Sequence, residues 1–254
     1  MLRAMLEAAR SRAAEIDLAT VRRAAAAVPA RRSLEQALGR PGLSVIAEIK
    51  RRSPSRGELA AGLDPVRQAS CYEAGGAAAV SVLTDPDFFD GSLEDLTSVR
   101  RTVELPVLRK DFIVHPAQVW ESRAAGADAL LLIVAALDDT ELTALVTEAA
   151  EAGLEALVEV HTLEEIHRAE AAGARIVGVN NRDLKTFRVD LGTAESLAPH
   201  LGSFAVTVAE SGVLGVGDAR RMADAGYDAV LVGEGLVTAS DPAAFLAELG
   251  GVRR

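Results

Sequence analysis

Cysteine is almost missing from this chain. Cys71 is the single one in 254 residues, so no internal disulfide can form and the core must hold the fold together. That usage fits a reducing compartment, and the cytoplasm is the expected location. Aromatic residues are scarce at 4%, with one Trp and two Tyr, which leaves Ala, Val, Leu and Ile to build the core. Side chains of that kind suit parallel strands buried under helices. No basic cluster exists: the Arg pairs at 22–23, 31–32 and 51–52 are short, and 27 basic against 37 acidic residues leave a net charge of −10. A chain of that sign repels nucleic acid, which is not expected as a partner. No run of about 18 uncharged apolar residues occurs, so a membrane-spanning helix is not expected. The histidines, His115, His161, His167 and His200, lack metal-ligand spacing, and surface or helix-start roles are expected of them. The N-terminal stretch MLRAMLEAARSRAAEIDLATVRRAAAA is interrupted by Glu7, Glu15 and Asp17 and has no apolar segment before a cleavage site. It reads as one or two helices rather than a targeting signal.

What the chain does have is a repeat. Five times a helix-like segment ends in Gly and leads into a short apolar run: EAGGAAAVSVL (73–83), AAGADALLLIV (124–134), EAGLEALVEV (151–160), AAGARIVGVN (171–180) and DAGYDAVLVG (224–233). Each Gly falls where a helix needs a left-handed C-cap. Adding SVIAEI (44–49), LPVLRK (105–110) and FAVTVAE (204–210) gives eight strand candidates separated by helical patterns. Eight such units in about 250 residues predict a (β/α)8 TIM barrel. An open doubly wound sheet is the alternative, but KRRSPSRG after the first strand is not the Gly-rich turn that fold carries. Residues 1–43 precede the first strand and are expected as extra N-terminal helices closing one end of the barrel. The whole chain, 1–254, is expected to be one domain.

The strand ends carry the polar chemistry. With side chains alternating at period two, Ile46, Glu48 and Lys50 share a face, as do Leu108 with Lys110, Leu157 with Glu159, Gly178 with Asn180, and Val208 with Glu210. Any one of these could be a barrel-end salt bridge. Five together, at the carboxyl ends of strands, mark the face where barrels bind substrate. Enclosed carboxylates set among lysines can hold separate acid and base roles at neutral pH. The loops VAESGV (208–213) and VLVGEGL (230–236) follow strands seven and eight, where barrels bind phosphate through backbone N–H groups. Gly212, Gly233 and Gly235 allow close approach there, Ser211 can add a hydroxyl, and Lys50 and Ser53 face them across the mouth.

VIAEIKRRSPSRG, LRKDFIV, ALVEVH, GVNNRDL, AESGV and VGEGL, in this order and spacing, closely resemble the indole-3-glycerol-phosphate synthase family over about residues 43 to 250. The resemblance implies a (β/α)8 barrel with N-terminal helices, no metal and no organic cofactor. It implies decarboxylating, dehydrating ring closure of 1-(2-carboxyphenylamino)-1-deoxyribulose 5-phosphate to indole-3-glycerol phosphate in tryptophan biosynthesis. On matching positions, Lys110 resembles the general acid and Glu159 the general base, supported by Glu48, Lys50, Asn180 and Glu210. Ser53, Ser211, Gly212, Gly233 and Glu234 would surround the phosphate, Glu234 through its backbone. Phe89, Phe112 and Leu131 resemble the walls around the anthranilate ring, with Arg182 close by, and Leu231 resembles a further substrate-binding position. The partner is then a small molecule, and the chain is expected as a monomer that associates at most weakly with other enzymes of the pathway. The N-terminal segment departs from the family pattern, and no aromatic or long apolar residue is expected from it over the ring.

The residues alone leave two other readings open. A lysine beside carboxylates at a strand end could form a Schiff base with a sugar-phosphate ketone, as in an aldolase. A barrel could also bind a phosphate ligand without turning it over. Which of Lys50 and Lys110 donates to which oxygen stays open at this level. Trp120 is expected to pack against the barrel, and Asp183 to order its loop.

Overall fold

The computed structural model describes residues 2–54, 57–60, 62–184 and 186–253. Eight parallel strands close into a barrel: β1 (Ser44–Ile49), β2 (Ala79–Leu83), β3 (Val107–Lys110), β4 (Ala129–Ile133), β5 (Glu155–Val160), β6 (Ile176–Asn180), β7 (Val206–Glu210) and β8 (Ala229–Val232). Each pairs with its sequence neighbours, and β1 closes the ring by pairing with both β2 and β8. The eight strand candidates and the barrel are therefore as the repeat predicts. A short antiparallel pair, Arg52–Ser53 with Gly57–Glu58, adds to the loop after β1.

The repeat works through its helix ends. Gly76, Gly126, Gly153, Gly173 and Gly226 all have φ between +73° and +99°. The next residue's N–H then bonds back five residues, as in Ala127 to the Ser122 carbonyl and Leu154 to the Ala149 carbonyl. This is the Schellman closure, and it turns the chain off the helix directly into the strand. Many helix starts are capped by Asp or Ser/Thr, as at Asp64, Ser92 and Thr162, and Asp138 and Glu141 form a reciprocal capping box. The strands are buried almost throughout, and the core is dominated by Ala, Val, Leu and Ile.

The N-terminal extension reaches both ends of the barrel rather than one. Its helices are α1 (Leu2–Ala14), α2 (Leu18–Ala25) and α3 (Leu34–Leu38). At the base, the Glu155 carboxylate that opens β5 accepts from the Leu34 backbone N–H and the Ser33 hydroxyl, so α3 covers that end. Asp128, fully buried before β4, accepts from the backbone N–H groups of Arg32 and Val107. Between the ends, α2 packs on the helix Pro116–Ala124. Trp120 sits at that seam: Arg22 lies 4.8 Å over its ring, and its indole N–H donates to Glu148. It therefore joins α2 to the outer helices, in addition to packing on the core.

At the opposite end α1 lies across the barrel mouth. Arg12 bonds to the carboxylates of Asp87 and Asp85, the latter at 2.6 Å and fully buried, and approaches Asp111 at 3.8 Å. One guanidinium thus ties α1 to the loops after β2 and β3. Removing it would leave the buried Asp85 carboxylate without its cation, a loss of about 1–3 kcal/mol for a hydrogen bond to a charged group. Arg12→Ala is expected to lower the thermal midpoint accordingly and to expose α1 to limited proteolysis before the barrel. An unchanged midpoint and cleavage pattern would count against the tie.

Candidate active site

The carboxyl ends of the strands open into a cavity of about 800 Å³, large enough for a drug-sized ligand. Glu48, Lys50, Lys110, Glu159, Asn180 and Glu210 all line it. Neighbouring strand register explains the grouping: Glu159 lies beside Gly178, and Asn180 beside Glu210. Lys110 Nζ is 3.5 Å from Glu159 Oε2 and 3.5 Å from Glu210 Oε2. Lys50 Nζ is 2.6 Å from Glu48 Oε1. The cluster is thus two ion-paired groups side by side, set above the packed barrel interior.

Burial and charge oppose one another at each group. Burial disfavours the Lys110 cation, but Glu159, Glu210 and Glu48 outweigh it, and its pKa is raised. Burial likewise opposes ionisation of Glu48, yet Lys50, Lys110 and Arg182 outweigh it, and its pKa falls below the usual carboxylate value. Glu210 goes the other way: burial dominates, the attraction of Lys110 only partly offsets it, and Glu159 and Glu48 repel its charge, so its pKa is raised. Like carboxylates in one enclosure thereby take different protonation states.

The apolar wall stands beside this cluster. Phe89 and Phe112 face the cavity with ring centroids 6.5 Å apart, and Leu231 joins them. Phe112 is placed by the outward residues of its own strand. Arg109 is buried and donates to Thr84, Ser122, Glu121 and Asp111, and Asp111 in turn accepts the Phe112 N–H at 2.8 Å. Leu131 does not line the cavity: it is nearly fully buried in β4, paired with Leu157, and Ile133 two residues on takes the wall position. The period-two pattern places both on one face, and depth along the strand decides which of them reaches the mouth. Leu83 also lines the cavity. So do Leu2 and Met5 of α1, contrary to the expectation that the N-terminal segment supplies no long apolar cover.

The opposite rim is formed by the loops after β7 and β8. Ser53, Ser211, Gly212, Gly233 and Glu234 line it, with Arg182 nearby in the loop after β6. Ser211 and Gly212 are both left-handed, at φ +64° and +89°, an uncommon conformation for a serine and a strained one. Asn181 steadies this turn: its amide donates to the carbonyls of Glu210 and Ser211, and its Oδ1 accepts from Ala194. Asn180 Oδ1 accepts the Arg182 N–H at 3.0 Å, and Asp183 orders the same loop by accepting from Thr186. Gly235 lies behind this rim, where a Cβ would come within 3.1 Å of Phe245.

Asn181, Arg109 and Asp111 alternate with the inward-facing residues and carry no sequence signal for the site, and His161 is buried at it rather than on the surface. His161 lies two residues beyond Glu159, on the same face, and that spacing was the available signal. Among the described residues no group of three or more His, Cys, Asp or Glu is arranged to hold a metal, and no helix is long and apolar enough to cross a membrane.

A closed (β/α)8 barrel with a cluster of buried carboxylates and lysines at its carboxyl face and a glycine-lined rim after its last two strands has the architecture of a barrel enzyme. Solved structures support the fold. Thiamine phosphate pyrophosphorylase from Pyrococcus furiosus matches with TM-score 0.61 at 20% identity, covering 85% of this chain and 96% of that one. The 3-hexulose-6-phosphate synthase from Salmonella typhimurium matches with TM-score 0.66 at 15% identity, covering 82% and 97%. A family model described as indole-3-glycerol phosphate synthase matches residues 2–249. Proteins named indole-3-glycerol phosphate synthase from Mycobacteroides abscessus and Rhodococcus jostii are 54% and 53% identical over 239 residues, which is 94% of this chain and 88% and 89% of theirs. The chain belongs to the indole-3-glycerol phosphate synthase family. It is a carboxy-lyase of tryptophan biosynthesis acting on a small molecule, 1-(2-carboxyphenylamino)-1-deoxyribulose 5-phosphate.

The close packing of the cluster gives a test of its geometry. A Cβ at Gly178 would collide with the Glu210 carboxylate and come within 3.3 Å of Leu157. Gly178→Ala must therefore displace a buried polar neighbour, and overpacking of this kind costs about 1–3 kcal/mol. A denaturation midpoint lowered by that amount, with activity lost through the displaced Glu210, is the expected result. Wild-type stability and activity would mean that the enclosure is looser than its geometry indicates.

Proposed function

We propose that Lys110 is the general acid and Glu159 the general base of the ring closure, on one domain spanning 1–254. The observation that carries this reading is the position of Lys110, 3.5 Å from both Glu159 and Glu210 at the barrel mouth. Ring closure joins the carboxyl-bearing ring carbon to the ketone carbon, and the ketone oxygen needs a proton as that bond forms. A lysine kept charged by buried carboxylates supplies it. Carbon dioxide then leaves from the ring carbon. Departure of the former ketone oxygen as water and loss of a proton from the carbon beside nitrogen complete the indole. Glu159, next to Lys110, takes that last proton. Glu48 holds Lys50 at the cavity wall, where Lys50 serves both chemistry and anchoring, and Asn180 and Glu210 complete the polar lining.

Phe89, Phe112 and Leu231 enclose the anthranilate ring, with Ile133 in the place expected of Leu131 and Arg182 near the substrate carboxylate. Ser53, Ser211, Gly212, Gly233 and the backbone of Glu234 hold the phosphate. We also infer a cytoplasmic monomer with at most weak association with other enzymes of the pathway. The free Cys71 supports a reducing compartment.

Steady-state kinetics of Lys110→Met and Glu159→Gln test the assignment. Each is expected to lower kcat by about 10²–10⁴ with most substrate affinity retained. The lysine variant should accumulate no intermediate, whereas rapid-quench samples of the glutamate variant should contain a decarboxylated, non-aromatic one. Near-normal kcat in Lys110→Met with an inactive Lys50→Met would transfer the acid role to Lys50.

The phosphate rim has its own test. Gly212→Val puts a side chain against Val189 and Leu191 in a left-handed turn, and is expected to raise KM about 10- to 100-fold by removing charge-assisted hydrogen bonds. Glu234→Ala keeps the backbone donor and should change KM little. Equal damage from both would assign the Glu234 carboxylate a part in binding.

A further inference from the structure

β5 ends at Val160, and His161 follows it as the first residue of the loop. Its side chain is 13% exposed and projects toward the same cluster as Glu159. Glu165, in the first turn of the helix Leu163–Ala171, holds it from behind. Glu165 Oε2 accepts the His161 backbone N–H at 2.6 Å and lies 3.3 Å from Nδ1. Thr162 caps that helix through the Glu165 N–H, so Glu165 is itself fixed. On its other side, His161 Nε2 lies 3.6 Å from Glu159 Oε1. Among the described residues, neither of those atoms has a hydrogen-bond partner, although both are buried.

We propose that His161, oriented by Glu165, is a positioning residue for the reaction: its imidazolium takes Glu159 Oε1 and leaves Oε2 ionised and turned toward Lys110. The proposal rests on Glu159 as the general base. The two oxygens of that carboxylate already face different groups, Oε1 toward His161 and Oε2 toward Lys110. With its Nδ1 hydrogen directed at Glu165, a neutral ring would aim the Nε2 lone pair at a carboxylate oxygen. A protonated ring aims an N–H there.

The charges around the ring favour the protonated form. Glu159 faces it from its own strand, Glu165 from the following helix and Glu210 from β7, while Lys110 lies beyond Glu159 and Arg168 beyond Glu165. Burial opposes the ring's charge, and the three carboxylates outweigh it, so its pKa is raised. Protonated, His161 is a third cation beside Lys50 and Lys110 in the same enclosure.

The test is the pH dependence of kcat for the wild-type chain, His161→Gln, His161→Asn and Glu165→Gln, with thermal midpoints as a folding control. Both His161 variants are expected to lose about 10- to 100-fold in kcat, the scale of a misplaced catalytic group, with KM within about twofold. The alkaline limb that follows His161 deprotonation in the wild type should disappear. Glu165→Gln should bring that alkaline limb to lower pH, since the ring has lost an anion. Wild-type kcat in the His161 variants overturns the proposal, as does a loss with an unmoved alkaline limb, which would mark a packing role. Near-normal kcat in Glu159→Gln would overturn the base assignment itself, and this proposal with it, whereas an inactive Glu159→Gln beside fully active His161 variants overturns this proposal alone.

Discussion

Carboxylates crowded into a dry enclosure repel one another, and the mouth of this barrel exists in its observed form because cations stand between them. Glu48, Glu159 and Glu210 are each at most 4% exposed. Without a counter-charge, mutual repulsion would drive them apart. Lys110, at 3.5 Å from two of them, and Lys50, at 2.6 Å from the third, keep the set together. The same opposition generates the chemistry. A lysine held charged and a buried Glu210 whose pKa is raised give one small space groups of different proton affinity.

The scaffold serves that arrangement by being rigid below it and adaptable at its rim. Parallel strands packed with Val, Leu, Ile and Ala set the depth and spacing of each polar end residue to within a register step. The small residues are as necessary as the charged ones, since Gly178 makes room for Glu210 and Gly233 for Glu48 and Lys50. Behind the mouth, Arg109 and Asp111 fix Phe112, and Asn181 fixes the turn at Ser211. These residues face away from the cavity and act through the backbone they hold. The N-terminal extension links the two ends, with α3 against Glu155 at the base and α1 placing Leu2 and Met5 in the cavity wall.

The barrel was legible in the sequence because its signals are local. A Gly one step past each helix, a short apolar run and a polar residue at its end are consequences of C-capping, burial and the alternation of side chains. Period two therefore puts Glu48, Lys110, Glu159, Asn180 and Glu210 on inward-facing positions from the sequence alone. The glycine loops after the last two strands were readable for the same reason.

What remained hidden depended on distance through space. No local rule tells how deep Leu131 sits relative to Ile133, since that is set by strand tilt and neighbouring registers. Nor could sequence bring Arg12 to Asp85, 73 positions away, or show that α1 crosses the mouth while α3 covers the base. His161 carried the right spacing but no visible partner until the following helix brought Glu165 back to it. The chain by itself determined which residues face inward, because backbone geometry alternates them. Only the closed tertiary structure decided which of those residues meet and in what charge state, because burial and Coulomb interactions depend on groups contributed by different strands.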